Sequence, residues 1–243
     1  MPKPRHIFQL LLLFVPLVVL PQNAAAIAYK INFVDEQQPK TNANRNAYLE
    51  NLILEAKDFL NESSFVLLIN GNKSLFKTSN SMDTHNNSLS KFAYTLVGGD
   101  GVYYTDQTEK IKLHQLEAYG TTVLLKTALD AQNWELTDET KTIGAFVCYK
   151  AILEQVNYEI IVWYAPDVYL RFGPAGYGNL PGLILELSVT NNLISYLYYA
   201  THINFNPEIL PEIEKPVKGK LVTQKQLDQM GEKAKENLKK MRN

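Results

Sequence analysis

The chain of 243 residues carries one cysteine, Cys148, and a thiolate is both a nucleophile and a metal ligand. It stands in Ile143-Gly144-Ala145-Phe146-Val147-Cys148-Tyr149, where period-two alternation sets it beside apolar neighbours on a strand, so a buried, inert thiol is the expectation. One cysteine also makes an intramolecular disulfide impossible. A structural zinc site needs several Cys or His ligands, yet His85, His114 and His202 stand alone with no local ligand pair. Glu135 with Asp138 and Glu139 could act as an acid pair only at a defined separation across a cleft. Among 25 acidic residues such a pair arises by chance, and surface solvation is the simpler reading. Gly98-Gly99-Asp100-Gly101 lacks the Lys and Ser/Thr of a phosphate loop, and no Gly-x-Ser-x-Gly elbow occurs. The sequence therefore predicts no catalytic residue, no metal and no cofactor.

Two segments concentrate unusual residues. The first, from Tyr158 to Asp167, is an apolar strand carrying Trp163 and Tyr164 and ending in a turn fixed by Pro166. The second runs from Gly173-Pro174 through Ala175-Gly176-Tyr177-Gly178-Asn179 to Leu180-Pro181-Gly182 and feeds the apolar strand from Leu183. Pro181-Gly182 fits a type II turn, with Pro at the first central position and a positive φ at Gly182. This loop could receive a ligand or partner, or it could be a tight corner locking two central strands; the corner is preferred.

Positioning these segments requires a mainly β chain. Tyr29 to Val34 reads as an opening strand and Gln37 to Asn46 as a polar loop. Tyr48, Leu49, Leu52, Ile53, Ala56, Phe59 and Leu60 recur at helical spacing, which predicts an amphipathic helix. Phe65 to Asn70 and Ser74 to Thr78 read as a hairpin about Gly71-Asn72. Ser79 to Lys91 is polar, and Phe92 to Val97 with Val102 to Thr105 reads as a second hairpin turning on the glycine cluster. Strands follow between Ile111 and Leu129, then at Asn133 to Thr137, Ile143 to Ala151 and Tyr158 to Tyr164. A third hairpin joins Leu183 to Val189 and Leu193 to Ile203 through Thr190-Asn191-Asn192. After Pro207, Pro211 and Pro216, a capping box at Thr223 to Gln226 opens a basic helix.

Hydrophobic residues make up 46% and charged residues 20%, typical of a globular chain. Met1 to Ala26 has a basic start, an apolar run too short to span a bilayer and Ala24-Ala25-Ala26 at its end, the pattern of a cleaved signal peptide. The formal charge is -1, and loss of Lys3 and Arg5 with the leader leaves 22 basic against 25 acidic residues, which argues against nucleic acid as a partner. The expected organisation is a leader at 1–26, a β domain at 27–206 and a Pro-containing extension with a basic helix at 207–243.

Ile143-Gly144, Cys148, Lys150-Ala151, Trp163-Tyr164, Pro166-Asp167, Gly173-Pro174 and Leu180-Pro181-Gly182-Leu183-Ile184-Leu185-Glu186 form four ordered blocks. In these blocks the chain resembles the GLPGLI family, exported Gram-negative bacterial proteins without an assigned activity. The first Gly of the name motif is replaced by Asn179, which still tolerates left-handed backbone. The resemblance, and a fold-level likeness to periplasmic lipoprotein carriers, implies a curved antiparallel sheet or open half-barrel with one packed helix and a C-terminal helix. No catalytic residues come with it. The expectation is a non-enzymatic envelope binding or accessory protein, periplasmic or extracellular, without a transmembrane segment in the mature chain. Its candidate partners are an outer-membrane protein or an apolar ligand; the alternative is a hydrolase whose site is assembled from distant loops. Strand Leu183 to Val189 carries apolar groups on both faces, which predicts that the helix of Tyr48 to Leu60 plugs the groove.

Overall fold

The computed structural model describes residues 23–34, 46–79, 88–205 and 207–242. Most of the expected leader, nearly all of the Gln37 to Asn46 loop, residues 80–87 and His85 lie outside the described residues. Twelve strands form one open sheet: β1 (Ala24–Phe33), β2 (Phe65–Asn70), β3 (Lys73–Thr78), β4 (Val102–Asp106), β5 (Ile111–Ala118), β6 (Thr121–Ala128), β7 (Glu135–Ile143), β8 (Phe146–Gln155), β9 (Tyr158–Ala165), β10 (Leu183–Asn191), β11 (Ser195–Phe205) and β12 (Lys220–Val222). Their spatial order is β12-β6-β5-β4-β3-β2-β1-β11-β10-β9-β8-β7. Neighbours pair antiparallel except β12, which runs parallel to β6. The predominantly β class follows as expected from short β-branched and aromatic runs between turns.

Alternation assigns the faces. In β1, Ala25, Ile27, Tyr29 and Ile31 are buried, and in β2 Phe65, Leu67 and Ile69 continue the same face. Two helices cover it. The first, α1 (Ala47–Asn61), is capped by Asn46, whose Oδ1 accepts from the Tyr48 N–H at 3.0 Å, and buries Ile53, Ala56 and Leu60. The second, α2 (Ser88–Leu96), replaces the strand expected at Phe92 to Val97.

The reason for that change lies in spacing and in the glycines. Leu89, Phe92, Ala93 and Leu96 repeat at three and four residues, and Tyr94 packs edge-on against Phe59 of α1 at 5.4 Å and Phe65 of β2 at 5.9 Å. Gly98, at φ 62, then ends the helix: its N–H donates to Thr95 O at 3.2 Å and the Gly99 N–H to Tyr94 O at 2.8 Å. That is a Schellman cap. The glycine cluster stops a helix; it does not turn a hairpin.

The opposite face of β4, β5 and β6 carries a smaller apolar cluster of Tyr104, Ile111, Leu113 and Leu124, which Ile213 of the Pro-containing segment joins. Lys215 pairs with Glu109 at 2.5 Å beside it, β12 then adds to the sheet, and α3 (Gln224–Arg242) begins at the expected capping box, with Thr223 N–H to Gln226 Oε1 at 2.9 Å. Part of the expected extension is thus a strand of the main sheet. At the other end, β1 begins three residues before the expected leader boundary, with Ala25 fully buried opposite Ile69 and Phe205.

Candidate functional site

The loop between β9 and β10 crosses the helix-covered side of the sheet. Its single 3-10 turn, Pro174–Gly176, reaches β3 and β4, which stand several strands away from β9 and β10 in the sheet order. An open sheet permits that only if it curls, so the loop acts as a bolt across a trough. Its own Val168, Leu170, Phe172, Pro174 and Leu180 are buried. The plug predicted from α1 is therefore shared by α1, α2 and this loop.

The motif residues serve this bolt. Gly173 lies against the Ile184 side chain, where an added Cβ would come within 2.7 Å. Gly182 does not adopt positive φ, so the expected type II turn at Pro181-Gly182 is not formed. Its requirement is closeness: a Cβ would stand 2.2 Å from the Ala165 carbonyl oxygen. Left-handed backbone falls instead on Ala175, Gly176 and Asn179, at φ 50, 71 and 62. Tyr164 is buried on β9 opposite Ile184, and Pro166 follows β9 at the turn where the Val168 N–H bonds Ala165 O at 3.2 Å. Trp163 points to the other face, where its ring lies 4.5 Å from Lys141 Nζ and Lys141 pairs with Glu186. Trp163 therefore takes no part in the trough, while Gly173, Pro174, Leu180 and Gly182 shape the loop and Pro181 is exposed.

Side chains that no motif marks hold the loop down. Arg171 donates from Nε to Leu180 O at 3.2 Å and from an Nη to Asn179 Oδ1 at 3.0 Å. Trp134 Nε1 donates to Gly178 O at 2.9 Å, the Gly178 N–H to Gln132 Oε1 at 3.1 Å, and Gln107 Nε2 to Arg171 O at 3.3 Å.

Where the bolt meets β4 it leaves a hollow of about 480 Å³. Tyr103 of β4, Lys112 and His114 of β5, and Leu125 and Thr127 of β6 form one wall; Tyr158 of β9, Val189 of β10 and Tyr196 of β11 form the other, and Ala175 and Tyr177 of the loop lie between. Strands from both halves of the sheet meet here, as curling requires. The His114 ring stacks on Tyr103 at 3.8 Å and 12°, and its Nε2–H donates to Asp100 O at 2.8 Å, leaving Nδ1 as the unprotonated nitrogen of the neutral ring. The Tyr103 hydroxyl donates to Gly98 O at 3.0 Å. Burial pushes the phenols of Tyr103 and Tyr196 well above their ordinary value and that of Tyr177 up to about 12, so all three are neutral hydroxyls. Burial also depresses the His114 imidazole and raises the Asp100 carboxyl, each against the other's attraction. The Lys112 ammonium, 5.9 Å from the Tyr177 ring, is brought down to about 8 by burial.

Aromatic faces, hydroxyls and amides around a concave space suit a ligand with apolar faces and polar edges. Of the groups weighed from sequence, Cys148 is buried as expected, its thiol pushed up to about 11 by burial and by Glu186. Glu135, Asp138 and Glu139 are exposed on the edge strand β7, where Glu139 pairs with Lys150 at 2.8 Å. His202 is exposed on β11, apart from His114. Among the described residues, no group of three or more His, Cys, Asp or Glu side chains could hold a metal ion, and no helix is long and apolar enough to cross a membrane.

A mainly antiparallel trough bolted by its own loop, with a tyrosine-lined hollow, defines a β-sheet domain built around a concave site. Residues 55–229 match the family model described as N-glycanase peptide, N-terminal domain, and the chain belongs to that family. Two solved structures of PNGF-II, in space groups C2 and P21, share its fold at TM-scores of 0.55 and 0.53 and 16% identity in each case. They cover 87% of this chain, which spans about a third of their length, 33% and 34%. A lipoprotein-sorting protein domain from Vibrio parahaemolyticus aligns at a TM-score of 0.29 and 8% identity, covering 77% of this chain and 87% of its own, too distant to carry an argument. A search of curated protein sequences finds no match.

Proposed function

We propose that this chain is a non-enzymatic binding domain of the cell envelope whose hollow takes a saccharide. The observation that carries the reading is the hollow itself: phenol rings from Tyr103, Tyr158, Tyr177 and Tyr196, with Gln155, Asn191 and Thr127 beside them. A sugar ring offers C–H faces for aromatic stacking and hydroxyls for amide hydrogen bonds. Membership in a family described as an N-glycanase N-terminal domain supports this choice of ligand. The lining residues bear no obvious nucleophile with an adjacent base, which favours binding over hydrolysis. Export is supported by the leader pattern of 1–26 and by the four blocks resembling the GLPGLI family.

Trp134 provides the test. Its ring lies 6.2 Å from Tyr177, so a ligand in the hollow should change its emission. Titration with lactose, N,N′-diacetylchitobiose and acidic saccharides is expected to give saturable quenching that Tyr177→Ala abolishes. No response and no calorimetric heat with any saccharide would overturn the proposal, and turnover of a glycosylated peptide by the purified chain would overturn its non-enzymatic part.

A further inference from the structure

Lys112 sets one wall of the hollow in a condition that the saccharide reading does not explain. Its stem runs along Gly176, where an added Cβ would come within 2.9 Å of Lys112 Cδ, and its ammonium lies near the Tyr177 ring. The described ion pairs use Lys141, Lys150, Lys215 and Lys235; none involves Lys112. Nor does any described side-chain hydrogen bond. The neighbouring carboxyl, Asp100, faces His114 and Tyr103 and is not among the residues that line the hollow with Lys112. Tyr103 and Tyr177 are neutral phenols, His114 is one alternate position along β5, and the lining of the hollow contains no Asp or Glu. Lys112 is half-buried, and an ammonium partly withdrawn from water with no carboxylate beside it is costly unless something supplies the missing charge.

Resting on the saccharide reading of the same site, we propose that the hollow selects an anionic saccharide, one bearing a carboxylate or sulfate, and that Lys112 is the residue that holds the anion. The geometry suits this division of labour: the phenol faces take the ring, while Lys112 supplies a single cation at one wall. A neutral sugar would leave the ammonium unpaired and gain only the stacking and amide contacts. An acidic sugar gains a charge-assisted hydrogen bond in a site partly removed from water. Burial brings the Lys112 ammonium down to about 8, and an anion bound beside it would raise it again.

The experiment compares lactose, 3′-sialyllactose and 3′-sulfolactose by calorimetry at pH 7 on the parent, Lys112→Met and Lys112→Arg. At least one acidic sugar is expected to bind the parent about tenfold more tightly than lactose, equivalent to about 1.4 kcal/mol. Lys112→Met should bring the ratio of acidic-sugar to lactose affinity down to about one, and Lys112→Arg should retain most of the preference. Preference for only one acidic sugar identifies the anion as carboxylate or sulfate. Equal binding of neutral and acidic sugars, or a preference that survives Lys112→Met, would overturn the role of Lys112 and leave the saccharide reading standing. Binding of none of the three overturns both. Lys112→Met replaces a partly buried charge by an apolar chain of similar length, and its unfolding transition reports whether the fold is kept.

Discussion

The β9–β10 loop and the wall of β4, β5 and β6 face each other across the hollow and are built on opposite terms. The loop contains the conspicuous residues, Gly173-Pro174 and Leu180-Pro181-Gly182, and its two crowded glycines are spent on close packing: Gly173 against the Ile184 side chain, Gly182 against Ala165 O. The wall contains no motif, yet it contributes the stacked Tyr103 and His114, and Lys112, which makes no ion pair among the described residues. Residues that stand out in the sequence here report where the chain packs most closely, and the groups that line the hollow come from strands whose composition is unremarkable.

Gly182→Val should break the loop side of this comparison most severely. With a Cβ 2.2 Å from one backbone oxygen and 2.9 Å from Pro166 Cα, neither of which is a flexible side chain, about 3 kcal/mol or more of stability should be lost in a denaturant titration. An unchanged midpoint would show that the close approach is not real. Trp134→Phe tests the anchoring from outside the motif. Losing the indole bond to Gly178 O should cost about 1 to 2 kcal/mol, and faster proteolysis within 166–182 than elsewhere would place the loss in the loop.

On the wall side, pH separates Lys112 from its surroundings. Its folded value of about 8 lies below the ordinary 10.5, so the unfolded chain binds more protons between those values and stability should rise with pH through that window. Cys148 and the buried tyrosines act oppositely, because their folded values lie above the ordinary ones and their contribution is lost as pH rises. Comparing the parent with Lys112→Met at pH 7.5 and 9.5 isolates the lysine. The parent should gain roughly 1 kcal/mol relative to the variant, a figure discounted for partial solvent screening. A parallel pH dependence in the two proteins would remove Lys112 from the buried class. The smallest effect is expected at Ala175→Gly: Ala175 holds φ 50 at the point where loop and wall meet, and glycine there should raise stability by about 0.5 kcal/mol or less, since relief of left-handed strain is offset by chain entropy.

Where sequence reading succeeded, the governing interactions are local. The 3.6-residue stripe of α1, the hairpin at Gly71-Asn72 and the box opening α3 each depend on neighbours a few residues apart. At α2 the local signal was present but divided: Phe92 to Val97 satisfies both periods, and packing against Phe59 and Phe65 decides for helix. At Pro181-Gly182 the dipeptide suited a turn type it does not adopt, because glycine answers equally to positive φ and to crowding, and only the position of Ala165 O distinguishes them.

The sequence by itself determined the β class, the amphipathic α1 and capped α3, the burial of Cys148 and the presence of a Gly/Pro-rich loop from Pro166 to Pro181, since alternation, capping and the φ limits of Gly and Pro act within a few residues. Tertiary structure alone decided that the sheet curls far enough for Pro174–Gly176 to reach β3 and β4, that Trp134 and Arg171 hold the loop, and that Tyr103, Lys112, Tyr177 and Tyr196 share one hollow. The physical reason is separation: those contacts join residues dozens of positions apart, their energy appears only once the sheet closes on its own loop, and no short-range pattern in the chain encodes which strands will meet.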